Sequence, residues 1–174
     1  MHIITGIYKG LRLEHDKPWI RPTTSKARAG FFSALGEDID GARFLDLFCG
    51  TAAMAIEACS RGASSAVGID ARIEVARINK DRLKVEALTL YRNDALRAID
   101  ILEKKNDKFS VIFMDPPYAY EGTLRVLSRL VESSILSLGG WLAIEHENRL
   151  SLPEVAGELS LYRQNDYCQS QITV

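Results

Sequence analysis

Phe44-Leu45-Asp46-Leu47-Phe48-Cys49-Gly50-Thr51 decides the fold. Its first five residues, apolar but for one aspartate, read as a strand buried on both faces. A glycine follows, and Ala52 to Ser60 then carries a helical pattern closed by Arg61-Gly62. A strand, a tight turn and a helix in that order open a βαβ unit.

The alternation continues downstream. Ala66 to Asp70 forms a second strand, with a helix expected from about Ile73 to Glu86. Leu88 to Tyr91 is a third strand, followed by a helix over Ala95 to Lys104. Val111 to Met114 is a fourth, followed after a loop by a helix over Thr123 to Ser133, and Trp141 to Ile144 is a fifth. Strands separated by helices predict right-handed crossovers and an α/β fold, Rossmann-like, with a mostly parallel sheet and helices on both faces. Leu159 to Tyr162 and Gln169 to Val174 read as a closing antiparallel hairpin. Upstream, His2 to Leu13 reads as a hairpin broken around Lys9-Gly10, and Trp19 to Pro22 as extended chain. Thr24 or Ser25 caps a helix running to about Leu35. The expected organisation is an N-terminal hairpin and helix extension over residues 1–36 and a Rossmann-like domain over 37–174.

Composition narrows the class. The 174 residues, 47% apolar and 26% charged, suit one globular domain. No run approaches a membrane span and no secretion signal precedes the first strand, so a cytoplasmic protein is expected. Three cysteines, Cys49, Cys59 and Cys168, form no C-x-x-C pair, and Glu145-His146-Glu147 is not a zinc motif, so no metal is expected. Net charge is −1, but residues 1–35 carry six Lys or Arg against two Asp or Glu, +4 in all, leaving −5 for the rest. Lys9, Arg12, Arg21, Lys26 and Arg28 in that segment are candidate phosphate contacts.

Ligands of such sheets bind beyond the carboxyl ends of the strands. The turn at Gly50 lets backbone N–H groups approach a ligand, and the helix after Thr51 favours a carboxylate at its N-terminus. Asp46 suits an ammonium group, and Asp70, twenty residues after Gly50, suits a ribose diol. Asn93-Asp94-Ala95 at the third strand end lies within reach of an adenine. With Phe48 and Cys49 in the turn, these residues form a candidate site for S-adenosylmethionine. A nicotinamide reading fails because the G-x-G-x-x-G loop is absent. Cys49 has no neighbour in the sequence that would make it a thiolate.

Asp115-Pro116-Pro117-Tyr118 ends the fourth strand. An exocyclic base amine is a poor nucleophile, its lone pair being delocalised into the ring. If the Asp115 carboxylate and the Pro116 carbonyl accept its two hydrogens, the nitrogen turns tetrahedral and the lone pair is freed. Pro117 stiffens that carbonyl and Tyr118 offers a stacking face.

Taken together, Asp46-x-Phe48-x-Gly50-Thr51, Glu57-Ala58-x-Ser60-Arg61-Gly62-Ala63, Arg21-Pro22-Thr23-Thr24 and Asp115-Pro116-Pro117-Tyr118 resemble the RsmD family of bacterial 16S rRNA guanine-N2 methyltransferases. The likeness runs from Ile3 to Tyr167. It implies a class I methyltransferase with a seven-stranded sheet, guanine 966 of 16S rRNA as target, assembling small-subunit particles as partner, a monomer, and RNA contact through the N-terminal hairpin and Thr23. Ala52 and Ala55 stand where the family usually has glycine, and Cys168 where a glycine commonly follows the tail tyrosine. Two alternatives stay open: adenine-N6 methylation of DNA or RNA, because the Asp-Pro-Pro-Tyr motif also occurs there, and a non-catalytic RNA-binding relative.

Overall fold

A computed structural model describes residues 1–15, 23–117, 120–167 and 170–174. Helix α1 (Ser25–Leu35) is capped by Thr24, whose hydroxyl accepts from the Ala27 N–H, and is followed by a 3-10 turn over Gly36–Ile39. The core then alternates: β1 (Arg43–Leu47), α2 (Ala53–Ser60), β2 (Ser65–Asp70), α3 (Glu74–Leu83), β3 (Leu88–Arg92), α4 (Ala95–Lys104), β4 (Phe109–Met114), α5 (Thr123–Glu132) and β5 (Leu136–Glu147). The tail adds β6 (Val155–Ala156), β7 (Leu159–Ser160), β8 (Gln164–Tyr167) and β9 (Ser170–Thr173). Strand order in the seven-stranded sheet is β3-β2-β1-β4-β5-β9-β8, parallel through β5 and antiparallel beyond it.

Side chains alternate across this sheet and divide the core in two. Phe44, Val111, Phe113 and Ala143 face α1 and α2, joining Phe31, Phe32, Ala55 and Ile56 in one cluster. Leu45, Leu47, Ile112, Met114 and Ile144 face α4 and α5 and pack on Ile99, Val126 and Leu130. Because α1 contributes Phe31 and Phe32, buried against Phe44 and Phe113, and the hairpin adds Ile3 and Leu13, the described residues before β1 share their core with the sheet. Among the described residues no helix is long and apolar enough to cross a membrane.

Three expectations need correction. The tail hairpin is β8 with β9, not Leu159–Tyr162 with the last strand. Gly157, at φ +62°, turns Leu159–Ser160 back onto Val155–Ala156 to make a separate two-stranded piece. The helix expected to reach Glu86 ends at Leu83, where Lys84 takes a left-handed conformation and closes it. The fifth strand is longer than its apolar stretch, because pairing with β4 and β9 carries it past Ile144 to Glu147. Trp19 to Pro22 lies outside the described residues.

The N-terminal hairpin has one antiparallel bridge, His2 with Arg12, closed by bonds from Ile3 N–H to the Leu11 carbonyl and Gly10 N–H to the Ile3 carbonyl. It is fastened to α2 by the Glu57-to-Gly62 motif. Glu57, fully buried, accepts from the Ile4 and Thr5 N–H groups at 2.8 and 3.0 Å and from Arg61 at 2.9 Å. The Ser60 hydroxyl donates to the Thr5 carbonyl and accepts from the Tyr8 N–H. Gly6 passes so close that a Cβ there would meet the Ser60 carbonyl oxygen at 1.6 Å. Arg28, expected from the sequence to contact phosphate, is fully buried and donates to the His2 carbonyl at 2.6 Å. It holds the hairpin from beneath and cannot reach RNA.

Gly6→Ala should therefore cost more than about 2 kcal/mol, combining a backbone clash with a left-handed φ of +86°. Gly10→Ala, at φ +80° with open space around it, should cost about 1 kcal/mol. Urea denaturation compares the two; equal losses would mean that the hairpin is not seated on α2.

Candidate functional site

One pocket of about 460 Å³ lies over the carboxyl ends of β1, β2, β4 and β5. The loop after β1 forms its floor. That loop alternates left-handed residues, with φ +62° at Phe48, +52° at Gly50 and +59° at Ala52, and so brings its backbone under the pocket before α2 begins. Ala52 pays the steric cost of a left-handed residue that glycine would avoid, on the order of 1 kcal/mol. Ala55, by contrast, is ordinary helix, fully buried.

Asp46 points from β1 toward α2, where its Oδ2 accepts the Ala55 N–H at 3.1 Å. It is only 2% exposed, and burial pushes its carboxyl up to about 8, against the smaller opposing pull of that N–H. Such a group gains from a cation beside it. Asp70, at the end of β2, accepts the Gly50 N–H on one oxygen at 3.0 Å and the Arg72 N–H on the other at 2.9 Å. Each carboxylate oxygen can take a second donor, so the pair suits two neighbouring hydroxyls. Cys49 and Thr51 complete the floor. The thiol of Cys49 is raised far above its ordinary value by burial and by Asp46 and Asp70, which keeps it un-ionised and non-nucleophilic.

Thr51 is tied into the body by Asn79, a fully buried residue of α3 whose amide donates to the Thr51 carbonyl and to the Glu14 carbonyl, both at 3.0 Å. Asn79 thus joins the loop after β1 to the exit of the N-terminal hairpin. Sequence reasoning missed it, because a polar residue on a charged helix gives no sign of burial.

On the far side, Asp115, Pro116 and Pro117 line the same pocket. Thr23, expected to touch RNA, is 7% exposed and its hydroxyl donates to Asp115 Oδ2 at 3.0 Å. Its partner is a protein carboxylate, so Thr23 serves the Asp115 side of the pocket. Arg21 and Tyr118 lie outside the described residues. Lys9, Arg12 and Lys26 are exposed.

Asn93, Asp94 and Ala95 do not line this pocket. Asn93 hydrogen-bonds its backbone to Asp70, while Asp94 Oδ1 caps α4 through the Arg97 N–H at 3.2 Å. Met54, Arg72, Phe113 and Glu145 do line it and were missed. Glu145 carried a usable signal, an acidic residue directly after an apolar strand, but its strand was read as ending one residue earlier. Among the described residues no His, Cys, Asp and Glu cluster could hold a metal ion.

A sheet in this order, with an acidic and glycine-bearing loop after β1 and an Asp-Pro-Pro edge after β4, defines a class I S-adenosylmethionine-dependent methyltransferase fold. The model of the family described as Conserved hypothetical protein 95 matches residues 1–174. YlbH of Bacillus subtilis is 36% identical over 172 residues, covering 96% of this chain and 94% of that one. The Escherichia coli K12 protein named Ribosomal RNA small subunit methyltransferase D is 33% identical over 175 residues, covering 94% and 83%. The structure of yhhF from Escherichia coli superposes with a TM-score of 0.84 at 26% identity over 99% of this chain and 95% of that one. The chain belongs to the RsmD family.

Two outcomes test the floor of the pocket. A cation placed beside Asp46 lowers its pKa, so cofactor binding at pH 7 should release close to one proton, and affinity should climb with pH until about 8. Calorimetry in buffers of different ionisation enthalpy counts the proton, and Asp46→Asn should abolish both effects. Asp70→Ala should weaken cofactor binding at least about tenfold, the loss of hydrogen bonds to a charged acceptor being worth about 1.5–3 kcal/mol.

Proposed function

We propose that this protein transfers a methyl group from S-adenosylmethionine to the exocyclic N2 of a guanine in small-subunit ribosomal RNA, with guanine 966 as the nucleotide that the family resemblance implies. The observation that carries the reading is the meeting, in one pocket, of the Asp46–Gly50–Asp70 floor with the Asp115-Pro116-Pro117 edge. The donor set fits the cofactor: Asp46 would hold the ammonium group, the N–H groups of the Gly50 turn the carboxylate, and Asp70 the ribose. Asn93, Asp94 and Ala95 are proposed to border the adenine at the edge of the site. When bound, S-adenosylmethionine supplies an electrophilic methyl on a sulfonium and leaves as a neutral thioether.

The protein's own residues prepare the nucleophile. Asp115 and the Pro116 carbonyl accept the two hydrogens of the amine and draw its nitrogen toward tetrahedral geometry. The Thr23 hydroxyl fixes the Asp115 carboxylate, so that little reorganisation is needed as charge develops on the amine. The proton that leaves the methylated nitrogen passes to Asp115 or to water. Tyr118 is proposed to stack on the base.

Ribosomal RNA as substrate is supported by the name of the Escherichia coli relative and by exposed Lys9, Arg12 and Lys26, with Arg21 joining them as a phosphate contact. An assembling small subunit in the cytoplasm is the proposed setting, and a monomer the proposed state.

Asp115→Ala should lower single-turnover methyl transfer by about a hundredfold or more while cofactor affinity holds, since the lost interaction strengthens toward the transition state. Asp115→Asn, keeping one acceptor oxygen, should be impaired less. Thr23→Val should lower turnover without changing cofactor affinity, and Thr23→Ser should restore it. Near-normal transfer by folded, cofactor-saturated Asp115→Ala protein would contradict the mechanism.

A further inference from the structure

Glu145 lies in the C-terminal part of β5, beside Asp115-Pro116-Pro117 in the pocket. Met114 pairs in register with Ile144, and the residues that follow this last pair are Asp115, just past β4, and Glu145, within β5. Both share the sheet face of Phe113 and Ala143, toward α1 and α2, by the two-residue period of strands. Both line the 460 Å³ pocket. Glu145 is 5% exposed, and its Oε1 accepts the Ser170 hydroxyl from β9 at 2.9 Å, which fixes the carboxylate. No step of the proposed methyl transfer uses it.

We infer that Glu145 selects guanine over adenine by accepting the N1–H of the target base, an inference that rests on the function proposed above. The Watson–Crick edge of guanine presents three hydrogens in a row, two on N2 and one on N1. A carboxylate is an acceptor only. With Asp115 and the Pro116 carbonyl taking the N2 hydrogens, the next donor along that edge is N1–H, and the next strand carries the next acceptor. Adenine turned to offer its own amine brings an N1 lone pair to that place instead. Two acceptors then face each other in a water-poor pocket, which disfavours adenine without a clash. Discrimination of this kind, from a buried polar group left unmatched by the wrong ligand, is stronger than any achieved by pocket size alone.

The test uses 2-aminopurine, which keeps the N2 amine but has a bare N1. It is ligated into 16S rRNA in place of the guanine that the wild-type protein methylates, and the RNA is assembled with small-subunit proteins. The readout is the ratio of methyl transfer on guanine to that on 2-aminopurine. For the wild type this ratio should be tenfold or more. Glu145→Gln keeps an oxygen for Ser170 and gains an N–H for the bare N1, so its ratio should fall at least fivefold, with cofactor affinity and melting temperature close to wild type. Glu145→Asp, the same charge one methylene shorter, is the second variant, and its ratio should fall as well. An unchanged ratio in either folded variant, with guanine still methylated by the wild type, overturns this inference alone. No transfer to guanine by the wild type would overturn the proposed function, and the inference with it.

Discussion

The parallel pairing of β1 with β4 and of β4 with β5 is the constraint on which the site depends. It sets Asp46, Phe113 and Ala143 in one row, with Asp115 and Glu145 two residues further along. Strand alternation puts these residues on the face that α1 and α2 cover. A slip of one residue in either register would turn a carboxylate into the α4–α5 core and remove it from the pocket. The apolar residues between the carboxylates fix that register, because each must reach its own cluster. Packing and chemistry are thus specified by the same alternation.

The site works against stability in at least two places. Asp46 is held where its ionised form is disfavoured, so the cofactor-free fold weakens as pH rises from the ordinary carboxylate range toward 8. Ala52 occupies a left-handed conformation at the start of α2. Strain and unmatched charge of this sort collect where a ligand is to be met, and the surrounding packing holds them in place. Asn79 and Glu57 supply much of that support, one tying the loop to α3 and the hairpin exit, the other pinning the hairpin to α2. Through them the hairpin that carries the exposed Lys9 and Arg12 is hydrogen-bonded to α2, to α3 and, by way of Asn79, to the loop after β1.

The alternating strands and helices were legible in the sequence because buried parallel strands are short apolar runs, and because Thr24 before α1 and Arg61-Gly62 after α2 mark helix ends. That Asp46, Gly50, Asp70 and Asp115 line one pocket could be read because strand ends are where such sheets open toward ligands. The tail was misread since Leu159 to Tyr162 is more apolar than Gln164 to Tyr167, and only Gly157 betrays the turn between β6 and β7. Thr23 was expected at RNA from the family resemblance, and Arg28 from its charge and neighbourhood. Their partners, Asp115 and the His2 carbonyl, are distant in the chain, and no local pattern announces such a bond. Asn79 escaped notice for the same reason.

The proposed activity is methyl transfer to one identified base atom, the N2 of a guanine in 16S rRNA. Small subunits from cells lacking this protein, incubated with tritium-methyl-labelled S-adenosylmethionine and the purified chain, followed by nucleoside analysis of the RNA, test that claim most directly. Label should enter N2-methylguanosine from 16S rRNA and no other nucleoside. Label in N6-methyladenosine, or bound cofactor with no transfer at all, would contradict it.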